Sequence, residues 1–161
     1  MLAKHGDAPN AYVKAEKEAP LEIRLQVPRG MDVSDDTLRE LGAANSGEAF
    51  LELRKSLYSL KKAGRIWSQL LHARLTDAGF VRCVTDMCLY FRRDEEELVV
   101  VGVYVDVLLA AGTSAAAVEK LFEGLAILQI KDLGRVHKFL GMRVEHGDDG
   151  SYLIDQEEAF K

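Results

Sequence analysis

The stretch Leu98-Val-Val-Val-Gly-Val-Tyr104-Val105-Asp106-Val107-Leu-Leu-Ala-Ala-Gly112 is an apolar run with a single carboxylate, Asp106, in its middle. Val-rich, β-branched sequence of this kind reads as buried strand. A sharp turn around Val105-Asp106-Val107 would split the run into two antiparallel strands, with Asp106 at the hairpin tip. An ionised carboxylate is costly to desolvate unless a cation compensates it. Two readings of Asp106 therefore stand side by side: it faces a metal ion, or it makes the turn with its side chain in water, as Asp commonly does. The run is too short to span a bilayer by about five residues, so it reads as a core element.

Composition narrows the function classes. The 161 residues suffice for one domain with a substantial core, spanning 1–161. The formal net charge of −5 argues against bulk attraction to a polyanion, so any nucleic-acid contact must be local. Two cysteines, Cys83 and Cys88, are too few for a disulfide framework or a four-thiolate zinc site. A reducing compartment is the default, and Met1-Leu-Ala-Lys-His, followed by polar residues, shows no secretory signal.

In chain order, the turn-rich segment from Lys4 to Tyr12 carries an isolated Asp7 and, taken locally, reads as a flexible start. Leu21–Val27 alternates apolar and polar residues up to Pro28, the pattern of a half-buried strand, and Phe50–Arg54 alternates again. Between them, Ser34 as N-cap and Gly42 as stop frame a short helix. From about Leu60 to Ala78, Ile66, Trp67, Leu70, Leu71 and Leu75 recur at helical spacing, with Gly79 beyond them. The start of this helix, Lys61-Lys62-Ala-Gly-Arg65, is the densest basic cluster: a solvated face, or a phosphate seat at a helix N-terminus. Met87–Phe91 reads as a strand, Ala115–Ile127 as an amphipathic helix, and Leu128–Ile130 as a short strand. Phe139–Val144 and Tyr152–Ile154 flank the hairpin signal Gly147-Asp-Asp-Gly150. Gln156–Lys161 has the look of a helix cut off at its first turn. The order predicts an α+β fold with helices on one face of an antiparallel sheet.

Four segments together resemble a known family, the reverse transcriptase of copia-type long-terminal-repeat retrotransposons. Leu53-Arg-Lys-Ser-Leu-Tyr58-Ser59-Leu-Lys61-Lys62-Ala-Gly64-Arg-Ile-Trp67 is similar to that family's L-x-K-x-L-Y-G-L-K-Q-A-P-R-x-W. Tyr104-Val105-Asp106-Val107 stands in the place of Y-V-D-D, and Phe139-Leu140-Gly141-Met142 in that of F-L-G-L or F-L-G-M. Asp7-Ala-Pro-Asn10-Ala11-Tyr12 resembles D-V-x-N-A-F/Y, and the similarity runs from about Asp7 to the last residue.

The resemblance implies a polymerase palm with a ferredoxin-like core and partial fingers. In it, three carboxylates and the incoming triphosphate share two Mg²⁺ (or Mn²⁺) ions. Carried over by position, Asp7 and Asp106 are the catalytic and metal-binding carboxylates. Tyr12, Tyr58 and Lys61 serve the nucleotide, with Tyr12 under its sugar, and Leu140 and Gly141 hold the primer end. The implied partners are an RNA or DNA primer–template, dNTP and the rest of a Pol polyprotein, with no membrane. The implied location is a virus-like particle in the cytoplasm, or the nucleus. Three departures matter. Val107 replaces the second Asp of Y-V-D-D and offers no oxygen ligand, Ser59 replaces a Gly, and Gly64 replaces a Pro. Thumb and RNase H regions have no counterpart in these residues, so the expectation is a polymerase-derived fragment, impaired and inactive by itself, with metal bound weakly. The alternatives are a catalytically dead palm relic that at most binds nucleic acid, and a ferredoxin-like interaction module.

Overall fold

The computed structural model describes residues 2–16 and 22–157. Along the chain run β1 (Leu2–Asp7), α1 (Ala11–Lys14), β2 (Arg24–Gln26), α2 (Asp35–Glu40), β3 (Phe50–Glu52) and α3 (Ala63–Asp77). These are followed by β4 (Val81–Arg82), β5 (Leu89–Arg93), β6 (Leu98–Tyr104), β7 (Val107–Gly112), α4 (Ala115–Gly124), β8 (Lys131–Arg135), β9 (Lys138–Phe139), β10 (Met142–His146) and β11 (Tyr152–Asp155). Two compact units result: residues 1–11 with 68–161, and residues 12–67. The helix α3 begins in the second and ends in the first.

The first unit is built on a six-stranded sheet in the order β4-β5-β6-β7-β1-β8, with every pairing antiparallel. The apolar run does split: Tyr104 pairs with Val107, leaving Val105-Asp106 as a two-residue hairpin turn. Side chains alternate between the sheet's two faces. Tyr90, Val99, Val101, Leu108 and Ala110 are buried on one face, the face against which α4 packs. A Cβ added at Gly6 would lie 2.5 Å from a ring carbon of Phe122 on α4, and one added at Gly112 would lie 2.7 Å from Val118. The glycines thus let α4 sit close to the strands. The α3 side of this face brings the His72 ring to 5.8 Å from that of Tyr90.

Two sequence readings are corrected in this unit. The segment taken locally as a flexible start is β1, a central strand between β7 and β8. Its Lys4 ammonium donates to Asp132 on β8 at 2.9 Å and approaches Glu119 on α4 at 3.6 Å. The hydrogen bond from Lys4 to Asp132 raises the Lys4 pKa. Burial pushes the Asp132 carboxyl up, but the Lys4 bond and the Gly134 N–H outweigh it and leave Asp132 below its ordinary value. The residues after α4 form not a strand but a 3₁₀ turn, Ala126–Leu128, closed by Gln129 at φ 50°. Strand β8 starts later, at Lys131.

Helix α3 stops where its sequence says it should. Gly79 adopts φ 83°, its N–H donates to Thr76 O at 2.9 Å, and Phe80 N–H donates to Leu75 O at 2.9 Å. That is the Schellman pattern, with Leu75 and Phe80, both buried, as its apolar clasp. Arg92 caps the same end, donating to Ala78 O at 3.4 Å over the Phe80 ring.

On the sheet's other face, Ala3, Leu109 and Ala111 pack against Val136, Phe139, Val144 and Tyr152. Phe139, Val144 and Tyr152 belong to the three-stranded sheet β11-β10-β9. Arg143 holds its hairpin by donating Nη2 to Asp155 at 2.9 Å and Nε at 3.1 Å.

In the second unit, β2 and β3 form a two-stranded ribbon. It is shorter and more exposed than a half-buried strand: Leu25 is 37% and Phe50 55% exposed, while Val27 beyond it is buried. The alternation predicted a strand correctly, but a two-stranded ribbon has no second layer to bury one face. Leu21 and residues 158–161, where the sequence reading placed part of a strand and the last helical turn, lie outside the described residues. Helix α2 is as read, with the Ser34 hydroxyl accepting from Thr37 N–H at 3.3 Å.

Candidate functional site

The strand register brings Asp7 and Asp106 to the same end of the six-stranded sheet. Asp7 is the last residue of β1 and the cross-strand partner of Val107, the first of β7. Asp106 immediately precedes Val107, and its backbone carbonyl accepts from Ala8 N–H at 2.8 Å. Both carboxylates are half-buried. Cross-strand partners share a face, so Asp7, Val107 and Tyr104 lie on the face opposite α4, along with Lys131, which pairs with Asp7 from β8. Sequence reasoning missed Lys131: nothing local ties it to Asp7, and the register alone places it there.

The hairpin tip carries backbone strain. Val105 has φ 56°, and Asp106 is not among the residues with positive φ. Positive φ at the first central residue only is the pattern of a type II′ turn, where glycine is the favoured occupant. A β-branched residue there is an outlier, since its Cβ crowds the backbone. Tyr104 and Val105, which precede Asp106, are 56% and 46% exposed, so the tip is apolar and open on that side of a half-buried carboxylate.

Two carboxylates are the hard oxygen donors a divalent cation such as Mg²⁺ takes. The position facing Asp7 across the strands, however, holds a hydrocarbon, Val107. Among the described residues, no group of three or more His, Cys, Asp or Glu is placed to hold a metal ion. Asp7 and Asp106 thus supply two carboxylates at this sheet end, and the position opposite Asp7 adds no oxygen donor.

The other residues singled out in the sequence fall in two places. In the second unit, the Tyr12 and Tyr58 rings pack in a tilted arrangement, with centroids 4.6 Å apart and an interplanar angle of 46°. A Cβ at Gly64, in the first turn of α3, would lie 3.8 Å from the Tyr12 hydroxyl. Lys61 is exposed in the turn leading into α3. In the first unit, Leu140 and Gly141 are the two residues between β9 and β10, with Phe139 paired to Met142. Their φ values, 51° and 80°, give the type I′ pattern of a two-residue hairpin. Sequence reading placed a hairpin at Gly147–Gly150 and missed this tighter one.

Residues 4–160 match the family model described as reverse transcriptase (RNA-dependent DNA polymerase). The chain is 32% identical over 108 residues to a transposon Ty5-1 protein of Saccharomyces cerevisiae, a match covering 66% of the chain and 35% of that relative. It is 29% identical over 140 residues to the retrovirus-related Pol polyprotein from transposon TNT 1-94 of Nicotiana tabacum, covering 86% of the chain and 10% of the relative. A third relative is the Pol polyprotein from transposon RE1 of Arabidopsis thaliana, 33% identical over 103 residues, which are 63% of the chain and 7% of the relative. The chain therefore spans about a third of the yeast relative and about a tenth or less of the plant ones. No solved structure matches it. By the family match and these relatives, the chain belongs to the reverse transcriptase (RNA-dependent DNA polymerase) family of copia-type retrotransposons.

Proposed function

We propose that this chain is the palm-like part, with partial fingers, of a retrotransposon reverse transcriptase, and that Val107 impairs its catalysis. Its reaction class is template-directed DNA synthesis from dNTP on an RNA or DNA primer–template, as part of a Pol polyprotein. The observation carrying this reading is the pair Asp7 and Asp106 at one sheet end, with Val107 as Asp7's cross-strand partner. Asp7 and Asp106 would hold Mg²⁺ or Mn²⁺, weakly for want of a third anion. When bound, two such ions supply activation of the primer 3′-oxygen and stabilisation of the leaving pyrophosphate.

The chain's own residues do the positioning. The tilted Tyr12–Tyr58 pair offers an aromatic surface for the sugar and base of the incoming nucleotide, and Lys61 a cation for its phosphates. The Leu140-Gly141 turn presents exposed backbone and an apolar side chain to the primer end. Loss of one ligand would displace the reacting groups, and misplacement by about 1 Å can cost roughly a hundredfold in rate. By family, the site of action is a cytoplasmic virus-like particle or the nucleus.

Mn²⁺ binding followed by electron paramagnetic resonance tests the assignment. The native chain is expected to bind Mn²⁺ weakly, and Asp106→Asn and Asp7→Asn each to abolish that binding. Binding that survives both substitutions would move the metal site elsewhere.

A further inference from the structure

Leu57-Tyr58-Ser59-Leu60 forms a hydrogen-bonded turn, Leu60 N–H donating to Leu57 O at 3.2 Å. Its third residue, Ser59, has φ 71°, and Tyr58 is not among the residues with positive φ. Positive φ at the third residue alone is the type II pattern, which calls for glycine because any Cβ there meets the backbone. The resembled family pattern carries Gly at this place, and this chain carries Ser. The turn matters for what it holds on either side. Tyr58, its second residue, packs against Tyr12 with ring centroids 4.6 Å apart and a tilt of 46°. Beyond it, Ala63 N–H donates to Leu60 O at 3.0 Å, opening α3 with Lys61, Lys62 and Arg65 around its start.

We infer that Ser59 is a positioning residue whose strained turn loosens the Tyr58–Tyr12 platform, making it a second lesion independent of Val107. The inference rests on the proposed nucleotide role of Tyr12, Tyr58 and Lys61. An L-residue in the left-handed region pays a steric cost that glycine escapes, and glycine's larger unfolded-state entropy returns part of it. The net difference corresponds to about a threefold shift in the closed-to-open ratio of the turn. Because the strain lies in φ and not in the hydroxyl, Ser59→Ala keeps it and Ser59→Gly removes it. Restoring the carboxylate at Val107 would leave this defect in place.

The test uses the full chain with Ser59→Gly and Ser59→Ala, reading two quantities: hydrogen exchange at the Leu60 amide and affinity for mant-dATP in Mg²⁺ buffer. Ser59→Gly is expected to slow Leu60 exchange about threefold and tighten mant-dATP binding by a similar factor, with Ser59→Ala matching the native chain in both. Equal effects of Gly and Ala would overturn the inference by locating the cause in the hydroxyl. Slower exchange without tighter binding would overturn the positioning role while leaving nucleotide binding intact. Absence of mant-dATP binding by every variant would overturn the inference together with the nucleotide role beneath it.

Discussion

Val107→Asp would place a second carboxylate directly opposite Asp7, because the two positions are antiparallel partners on one sheet face. Partner side chains approach to about 5 Å, where two unit charges repel by roughly 0.8 kcal/mol in water and roughly 3 kcal/mol at an effective dielectric of 20. Both positions are half-buried, so the repulsion falls between these limits, at about 1–2 kcal/mol. Replacing a half-buried valine adds somewhat under 1 kcal/mol of lost apolar burial. Without metal at neutral pH, the variant should be about 2 kcal/mol less stable than the native chain, or roughly 4–8 °C in Tm for a chain of this size. The sign with pH follows. Mutual repulsion raises the folded-state pKa of the pair, so the penalty exists above that pKa and disappears as pH falls through it. Near pH 4 only the apolar part should remain. A cation held between the carboxylates reverses the effect, adding about 2.7 kcal/mol at a hundredfold excess over Kd. Calorimetric melts of both proteins at two pH values, in EDTA and in Mn²⁺, read all of this. A deficit that ignores pH and Mn²⁺ would refute the facing arrangement of Asp7 and Val107.

Other consequences are separable. Gly6→Ala should cost about 2 kcal/mol, since its Cβ would meet the Phe122 ring, Lys131 O at 3.1 Å and Ile130 at 3.2 Å, leaving no direction free; urea unfolding measures it. Leu140→Asn should stabilise the β9–β10 hairpin by about 0.5–1 kcal/mol, because Asn tolerates the left-handed conformation that Leu140 holds at φ 51°; a rise in Tm checks it, and a fall would mean that Leu140 packs against a partner. The Arg143 guanidinium hydrogen-bonded to Asp155 holds that carboxyl below its ordinary value. Its contribution to the β10–β11 hairpin is thus complete above the ordinary carboxylate pKa and is lost as pH falls through the lower folded value. A ¹³C titration of the Asp155 carboxyl reads this directly, and an unshifted curve would discount the pair.

How much of this was legible in the sequence differs by element. The hairpin around Asp106 showed itself because one carboxylate interrupts an otherwise unbroken β-branched run, and burial there leaves few alternatives. The end of α3 was equally readable, since Gly79 has the conformation its position demands. Strand β1 was not. Its Lys4, His5 and Gly6 lack strand propensity, and the reasons for them are tertiary: Lys4 reaches Asp132, and Gly6 makes room for Phe122. The family motif supplied Asp7 where local pattern did not. The left-handed backbone at Ser59, Val105 and Leu140 was opaque for a related reason, although the turn at Val105–Val107 itself was read: each side chain disfavours that conformation, so propensity points away from the observed backbone. Neither Lys131 nor Val107 announces itself locally either, because their relation to Asp7 exists only through register.

The proposal that Val107 impairs a reverse transcriptase site has a direct test. Mn²⁺-supported primer extension on poly(rA)/oligo(dT), with the native chain and Val107→Asp side by side, tests it most directly. Extension by Val107→Asp well above the native chain is the predicted result. Equal extension by both would contradict the account, because Val107 would then cost the site nothing.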